Sequence, residues 1–342
     1  FNELVTIREE YKGGEVAVEV SGLFYLDGLH RKRHDFWMLK KDLLPLASLK
    51  QEMLEAIPSS IDYTVPVKDY SQNVITLAKP WQDQLTKRTY SVGTRFVRDQ
   101  KQDTQEVYGI VLLDTQKKKA VRTTVPKASA INPQDLSFSE SRNIFLNLLH
   151  EWAYQADQLV PYVYGGCSFT HASPRKGFSR VSAKKCGLTA SYWERHESPT
   201  NPCIGFDCSG MILRAAQIAG MPYFFKNTLA LMNYLQPLKL DEHLELGDLV
   251  WYSGHVMVVS NIKKNLLIEA VGYESGFGRV HEIPISEAFT GISTFEQLIH
   301  AHHTHQFLRR PNSKGQAWRS IVRLKIFKLT SILPLTLILT QK

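Results

Sequence analysis

Cys208 stands in the run Gly205–Gly220, GFDCSGMILRAAQIAG, where a loop turns into a helix. Asp207 is a good N-cap residue. An apolar run from Met211 to Ala219 follows, and Gly220 with Pro222 supplies the stop signal. A cysteine in a first helical turn faces unpaired backbone N–H groups and the positive end of the helix dipole, which favour the thiolate. The thiolate is the nucleophilic form, and such a position, with an imidazolium nearby, lowers the thiol pKa. A cysteine with no partner is more often an inert core residue, so the reading turns on a base and a group to orient it.

His255 is the best base. It follows Ser253-Gly254 and opens the strand candidate His255–Ser260, HVMVVS. A second strand candidate, Leu266–Val271 (LLIEAV), follows a polar turn. If the hairpin turns about Ile262, paired residues have numbers that sum to about 524, which sets Glu269 opposite His255 with Cβ atoms roughly 5 Å apart. A carboxylate there fixes the imidazole tautomer and supports the imidazolium. Without such a role, Glu269 is an awkward charge in an apolar strand or an edge residue turned to water. Other chemistry is poorly served. His300, His302, His303 and His305 lack acidic or cysteine partners at ligand spacing and read as a solvated segment, so no metal is expected. No phosphate loop, dinucleotide fingerprint or HExxH run is present, and no organic cofactor is implied.

The elements that must carry these residues are an α+β arrangement. Ser137 and Glu140 form a capping box ahead of a helix in which Ile144, Phe145, Leu148, Leu149 and Trp152 recur at helical spacing. A turn with two aromatics, Pro161–Gly166 (PYVYGG), precedes a polar insertion, 167–204, that holds Cys167, Cys186 and Cys203. Those three allow at most one disulfide if Cys208 is free, and no CxxC pair suggests structural zinc. The Cys208 helix packs against the antiparallel sheet that bears His255 and Glu269. Ahead of it, Glu15–Val20, Asp35–Leu39, Tyr90–Arg98, Glu106–Leu113 and Ala120–Val125 are short strand candidates between polar turns. They suggest small β-barrels, with one irregular β domain as the alternative. The expected divisions are a first barrel at 1–65, a second at 66–135, a catalytic domain at 136–310 and a basic, then apolar, tail at 311–342.

Apolar content of 43% and charged content of 22% describe an ordinary globular chain of 342 residues. The net charge of +8 favours polyanionic surroundings such as a cell envelope. Basic residues are scattered apart from Lys117–Lys119 and Arg309–Arg310, and no nucleic-acid motif accompanies them, so nucleic acid is not an expected partner. No stretch reaches the roughly 20 apolar residues of a spanning helix. The tail reads as an amphipathic surface helix or disorder. The chain begins with Phe1 and shows no leader pattern, which reads as a processed form or a fragment.

In this order, PYVYGG, Phe206–Gly210 (FDCSG), Gly247–Trp251 (GDLVW), Gly254–Val259 (GHVMVV) and Ile268-Glu269-Ala270 resemble the NlpC-type, papain-like cysteine peptidases of bacterial cell walls. The resemblance covers roughly 137–285. It implies a papain-like fold, Cys208 as nucleophile, His255 as general base and Tyr162 as part of the oxyanion pocket. It places Asp207 and Ser209 where members bind the amino end of a substrate. The implied substrates are peptidoglycan stem peptides or muropeptides, cut between γ-D-glutamate and a diamino acid. The implied place is the cell envelope, periplasmic or secreted, or a cytoplasmic peptide-recycling role. Residues 1–65 and 76–132 resemble the Src-homology-3-type barrels that precede such domains. Two departures stand out: Glu269 replaces the usual His, Asn or Gln, and the insertion separates PYVYGG from the nucleophile. The alternatives are an acyltransferase or amidase with the same Cys–His pair, and a wall-binding protein with an idle site.

Overall fold

The computed structural model describes residues 4–11, 14–20, 23–59, 73–114, 119–154, 158–170, 173–174, 204–221 and 226–332. It is a mixed α/β structure with several antiparallel sheets and few helices. Two compact units divide it, one mainly from residues up to Ser141 and the other mainly from Arg142 onward.

Among the described residues, the first unit holds a three-stranded and a five-stranded antiparallel sheet, with two short two-stranded ones. Strands β1 (Val5–Glu10), β2 (Glu15–Val20) and β3 (Asp35–Leu39) form a three-stranded sheet in that order. Strands β4 (Val74–Leu77), β5 (Arg95–Arg98), β6 (Val107–Asp114), β7 (Lys119–Pro126) and β8 (Ala130–Ile131) form a five-stranded sheet in the order β7-β6-β5-β4-β8. Alternate residues Ile75, Leu77, Phe96, Ile110, Leu112 and Val125 turn inward and make its core. Residues 60–72, where the sequence places the boundary between two barrels, lie outside the described residues.

The second unit is built on one five-stranded antiparallel sheet. Its strands are β11 (Leu249–Tyr252), β12 (His255–Asn261), β13 (Leu266–Val271), β14 (Arg279–Pro284) and β17 (Leu324–Phe327), in the order β14-β13-β12-β11-β17. Helix α1 (Phe138–Ala153) begins with the expected capping box: Glu140 accepts from the Ser137 N–H and hydroxyl, and the Glu140 N–H donates to Ser137 Oγ. Near its end Trp152 stacks on Phe206. Phe206 closes strand β10 (Gly205–Phe206), which pairs with β9 (Cys167–Ser168). Helices α2 (Cys208–Ile218), α3 (Thr228–Tyr234) and α4 (Phe295–Thr304) follow in the chain. Met257, Val259, Leu267, Ile283, Phe289, Phe295, Leu298, Leu308 and Ile326 share one buried cluster. Each fully buried side chain of this size contributes about 1.5–3 kcal/mol relative to exposure.

The C-terminal stretch differs from the tail expected at 311–342. A hairpin, β15 (Leu308–Pro311) with β16 (Ala317–Ile321), leads into β17, which pairs with β11 as an edge strand of the main sheet. Lys328, which interrupts the apolar run, ends in a buried ion pair with Asp248 at 2.8 Å. Asp248 also accepts from the Leu329 N–H at 3.0 Å. The aspartate of GDLVW therefore ties the end of β17 to the start of β11. Residues 333–342 lie outside the described residues. Among the described residues no helix is long and apolar enough to cross a membrane.

Candidate active site

Cys208 is the first residue of α2 and is nearly buried, with 7% of its surface exposed. The turn before it is held by Asp207. Asp207 Oδ1 accepts from the Gly210 N–H at 2.5 Å and the Ser209 hydroxyl at 3.1 Å, and Oδ2 accepts from the Gly165 N–H at 2.9 Å. Lys226 Nζ lies 3.5 Å from Oδ2. The expected N-cap is thus present, and the same carboxylate fastens the YGG turn to the helix start. Ser209 donates in addition to the Lys226 carbonyl at 2.7 Å. Asp207 and Ser209, expected at a substrate's amino end, sit beside Cys208 with these internal partners. Two glycines explain the motif spelling. A Cβ on Gly210 would lie 2.1 Å from the Gly166 carbonyl oxygen, and one on Gly205 would lie 2.2 Å from that of Pro161. The two backbones approach too closely for any side chain.

The sulfur meets the sheet at the start of β12. The backbone N–H groups of Val256 and Ser209 act to favour the Cys208 thiolate. Strand β12 pairs with β11 over its whole first half, from Tyr252↔His255 to Leu249↔Val258, but its pairing with β13 runs only from Val258 onward. At the His255 end the ladder to β13 is open, and the Val256 N–H is left for the sulfur.

Across that opening, His255 Nε2 lies 2.6 Å from Glu269 Oε2. The contact expected from the hairpin is made, but not by direct pairing. The observed pairs are Val258↔Ile268 and Val259↔Leu267, with a bulge before Asn261↔Leu266. That register would set Val271 opposite His255, so Glu269 lies two positions away, diagonally across on the same face, a distance that long side chains span. Glu269 has no exposed surface. Its other oxygen, Oε1, accepts from His281 Nε2 at 3.0 Å, directly opposite on β14, and from the Arg310 guanidinium on β15. Arg310 is likewise fully buried. Arg310 stands out in the sequence only as half of a basic pair with Arg309, and nothing there places it or His281 beside Glu269. The one signal was that a glutamate in an apolar strand requires a buried cation nearby.

The electrostatics follow from burial. Desolvation pushes the Cys208 thiol up to about 12, the Asp207 carboxylate adds to this, and the two N–H groups oppose it. The lowered thiol pKa expected from the helix N-terminus is not found: taking the sulfur out of water outweighs the dipole. Burial also lowers His255, against the stabilising hydrogen bond it donates to Glu269, so the ring is neutral at pH 7. Burial alone would raise Glu269, but the Arg310 charge and the hydrogen bonds from His255 and His281 together hold it well below the usual carboxylate range. A neutral thiol, a neutral imidazole and a carboxylate make a general-base arrangement, not a resting ion pair.

Tyr162 bridges to Phe206, and its N–H donates to the Gly278 carbonyl at 3.0 Å. Its ring lies over Gly272, just past the end of β13, where a Cβ would be 3.5 Å from it. Burial raises its phenol well above the usual range, with the Cys208 and Asp207 charges adding to the effect. It therefore stays a neutral O–H donor.

Elsewhere, Cys167 is a free thiol, and Cys186, Cys203 and the rest of 175–203 lie outside the described residues. His302 is buried on α4 with Nε2 on the Leu238 carbonyl at 3.0 Å. Among the described residues no group of three His, Cys, Asp or Glu is placed to hold a metal.

No family model matches the chain, and no curated protein matches it. Among solved structures it is similar to the peptidoglycan hydrolase RipB of Mycobacterium tuberculosis, at 23% identity and a TM-score of 0.26. That match covers 44% of this chain and 63% of RipB.

Proposed function

We propose that the chain is a cysteine peptidase of papain-like fold that hydrolyses peptide bonds in peptidoglycan stems. One observation carries the reading: the Val256 N–H acts on the buried Cys208 sulfur, and the residue before it is an imidazole whose Nε2 is held by a buried carboxylate. With Nε2–H donated to Glu269, Nδ1 is the nitrogen left to take the thiol proton. Cys208 attacks the carbonyl carbon as its proton passes to His255. The proton then goes to the departing amine, leaving a thioester on Cys208. Water, deprotonated by His255, cleaves the thioester and restores the thiol. The Cys208 N–H and the Tyr162 hydroxyl are the donors for the oxyanion.

The substrate class comes from the ordered motifs PYVYGG, FDCSG, GDLVW and GHVMVV, which resemble those of wall peptidases. The proposed bond lies between γ-D-glutamate and a diamino acid, and the proposed setting is the cell envelope. The antiparallel sheets before the catalytic unit are proposed to be Src-homology-3-like barrels that engage the wall. The test is incubation with purified muropeptides. New amino groups should appear with the native protein and not with Cys208→Ala. Transfer of an acyl group with no net release of amines would refute hydrolysis in favour of acyl transfer.

A further inference from the structure

Glu269 serves more donors than a Cys–His–acid triad needs. Three elements converge on it: His255 from β12, His281 from β14 and Arg310 from β15. They do not share it evenly. Oε1 takes both His281 and Arg310, while Oε2 takes His255 alone at 2.6 Å. Two imidazoles therefore flank one carboxylate, and strand geometry favours His281, the directly paired residue. The guanidinium breaks that symmetry, because an oxygen already loaded with a charged donor has less to offer a second ring.

We propose that Arg310 is a positioning residue: by holding Oε1 it commits Oε2 to His255 Nε2–H, and so presents His255 Nδ1 to the Cys208 thiol. The proposal rests on the peptidase reading for its consequence in catalysis. Its physical content is independent of that reading. A carboxylate with no solvent access tends to take up a proton, and a protonated acid no longer fixes the ring. Arginine is charged at every working pH and donates through a rigid fork, so it keeps Glu269 an acceptor. Among the described residues, buried Tyr252 on β11 and Arg319 on β16 also act on this site. Arg319 is exposed and anchored to the Ser253 carbonyl at 2.8 Å. Arg310 also lies beyond the span of the wall-peptidase resemblance, on a hairpin of its own. The working unit therefore extends past residue 285.

The experiment compares the full-length native protein with Arg310→Met and Arg310→Lys. The ring of His255 is observed by ¹⁵N NMR, and kcat and KM for a stem peptide are measured against pH. In the native protein His255 should show one tautomer, with the proton on Nε2. Arg310→Met should mix the tautomers and lower kcat at least about tenfold with little change in KM. It should also move the acid limb of the rate profile to higher pH, because the cation that disfavours imidazolium is gone. Arg310→Lys should restore the tautomer and the limb. If Arg310→Met is not recovered folded, Arg310→Gln is read in the same way. An unchanged tautomer and acid limb in a folded neutral variant would overturn the proposal, whatever happens to kcat. A native protein that cleaves no peptide, yet whose His255 unlocks in Arg310→Met, would sink the peptidase reading and leave the positioning role standing.

Discussion

The resting protonation state of Cys208 gives the sharpest test of the site's electrostatics. The perturbation is pH, read by alkylation with iodoacetamide. An ordinary thiol with a pKa of about 8.5 is a few per cent thiolate at pH 7. Burial takes Cys208 to about 12, where the thiolate fraction at pH 7 is on the order of 10⁻⁵. The ratio is about 3 × 10³ in favour of the ordinary thiol, before allowance for the sulfur's greater intrinsic reactivity. A more basic thiolate attacks faster, with a Brønsted coefficient of about 0.45, which returns a factor of about 40 over this pKa gap. The net expectation is alkylation about 10² slower than free cysteine at pH 7, rising tenfold per pH unit past pH 10. Moving the proton to His255 at rest is uphill by at least about 7 kcal/mol, since that ring lies below its usual 6.5. Peptide mapping by mass spectrometry assigns each label. Cys167, whose thiol is lowered overall because the Arg214 and Lys226 charges outweigh its burial, should label before Cys208. A Cys208 rate that plateaus with a midpoint below about pH 7 would refute the reasoning and establish a thiolate–imidazolium pair.

Two further predictions concern the buried carboxylate. Glu269→Gln keeps the shape but strands Arg310 without a counter-charge, a loss of about 3–5 kcal/mol in denaturant unfolding. Adding Arg310→Met should recover much of it in a double-mutant cycle, and simple additivity would contradict the pairing. Acid should destabilise the protein in two stages. His255 has a folded pKa below its unfolded value, so its contribution is present above about pH 6.5 and is lost as pH falls from there. Glu269 is held well below its usual range, so its contribution is present above about pH 4.5 and is lost on further acidification. Urea midpoints should fall between pH 7 and pH 5 and fall again below pH 4.5. A flat profile would show that neither group changes its proton affinity on folding.

Much of the site's geometry was legible because short-range rules set it. Asp207 caps α2 and Ser137 and Glu140 box α1, each through contacts three residues apart. The His255–Glu269 contact followed from strand periodicity, since both lie on one face. The exact register did not, because the hairpin turns between Lys263 and Lys264 and not about Ile262, and no side-chain pattern announces that shift. Arg310 and the edge strand β17 were not legible. Arg310 follows Arg309, which is exposed, and the two look alike in sequence; only the non-local contact with Glu269 separates them. In LKIFKL the second lysine suggested a surface helix, whereas Lys328 is neutralised by Asp248, 80 residues earlier. Burial of charge depends on partners far along the chain, and periodicity carries no record of them. The lowered thiol pKa was likewise inferred from the local helix end, while desolvation, a property of the whole fold, decided the outcome.

The central claim is that Cys208 accepts an acyl group from a wall peptide. The most direct measurement is acid quench of the protein during turnover of a muropeptide, followed by mass mapping of the peptide that carries Cys208. The account predicts an adduct on that cysteine equal in mass to the acyl half of the cleaved stem, sensitive to hydroxylamine and absent from Cys208→Ala. Product release at the native rate from Cys208→Ala, or turnover with no adduct on Cys208 under single-turnover quench, would contradict it.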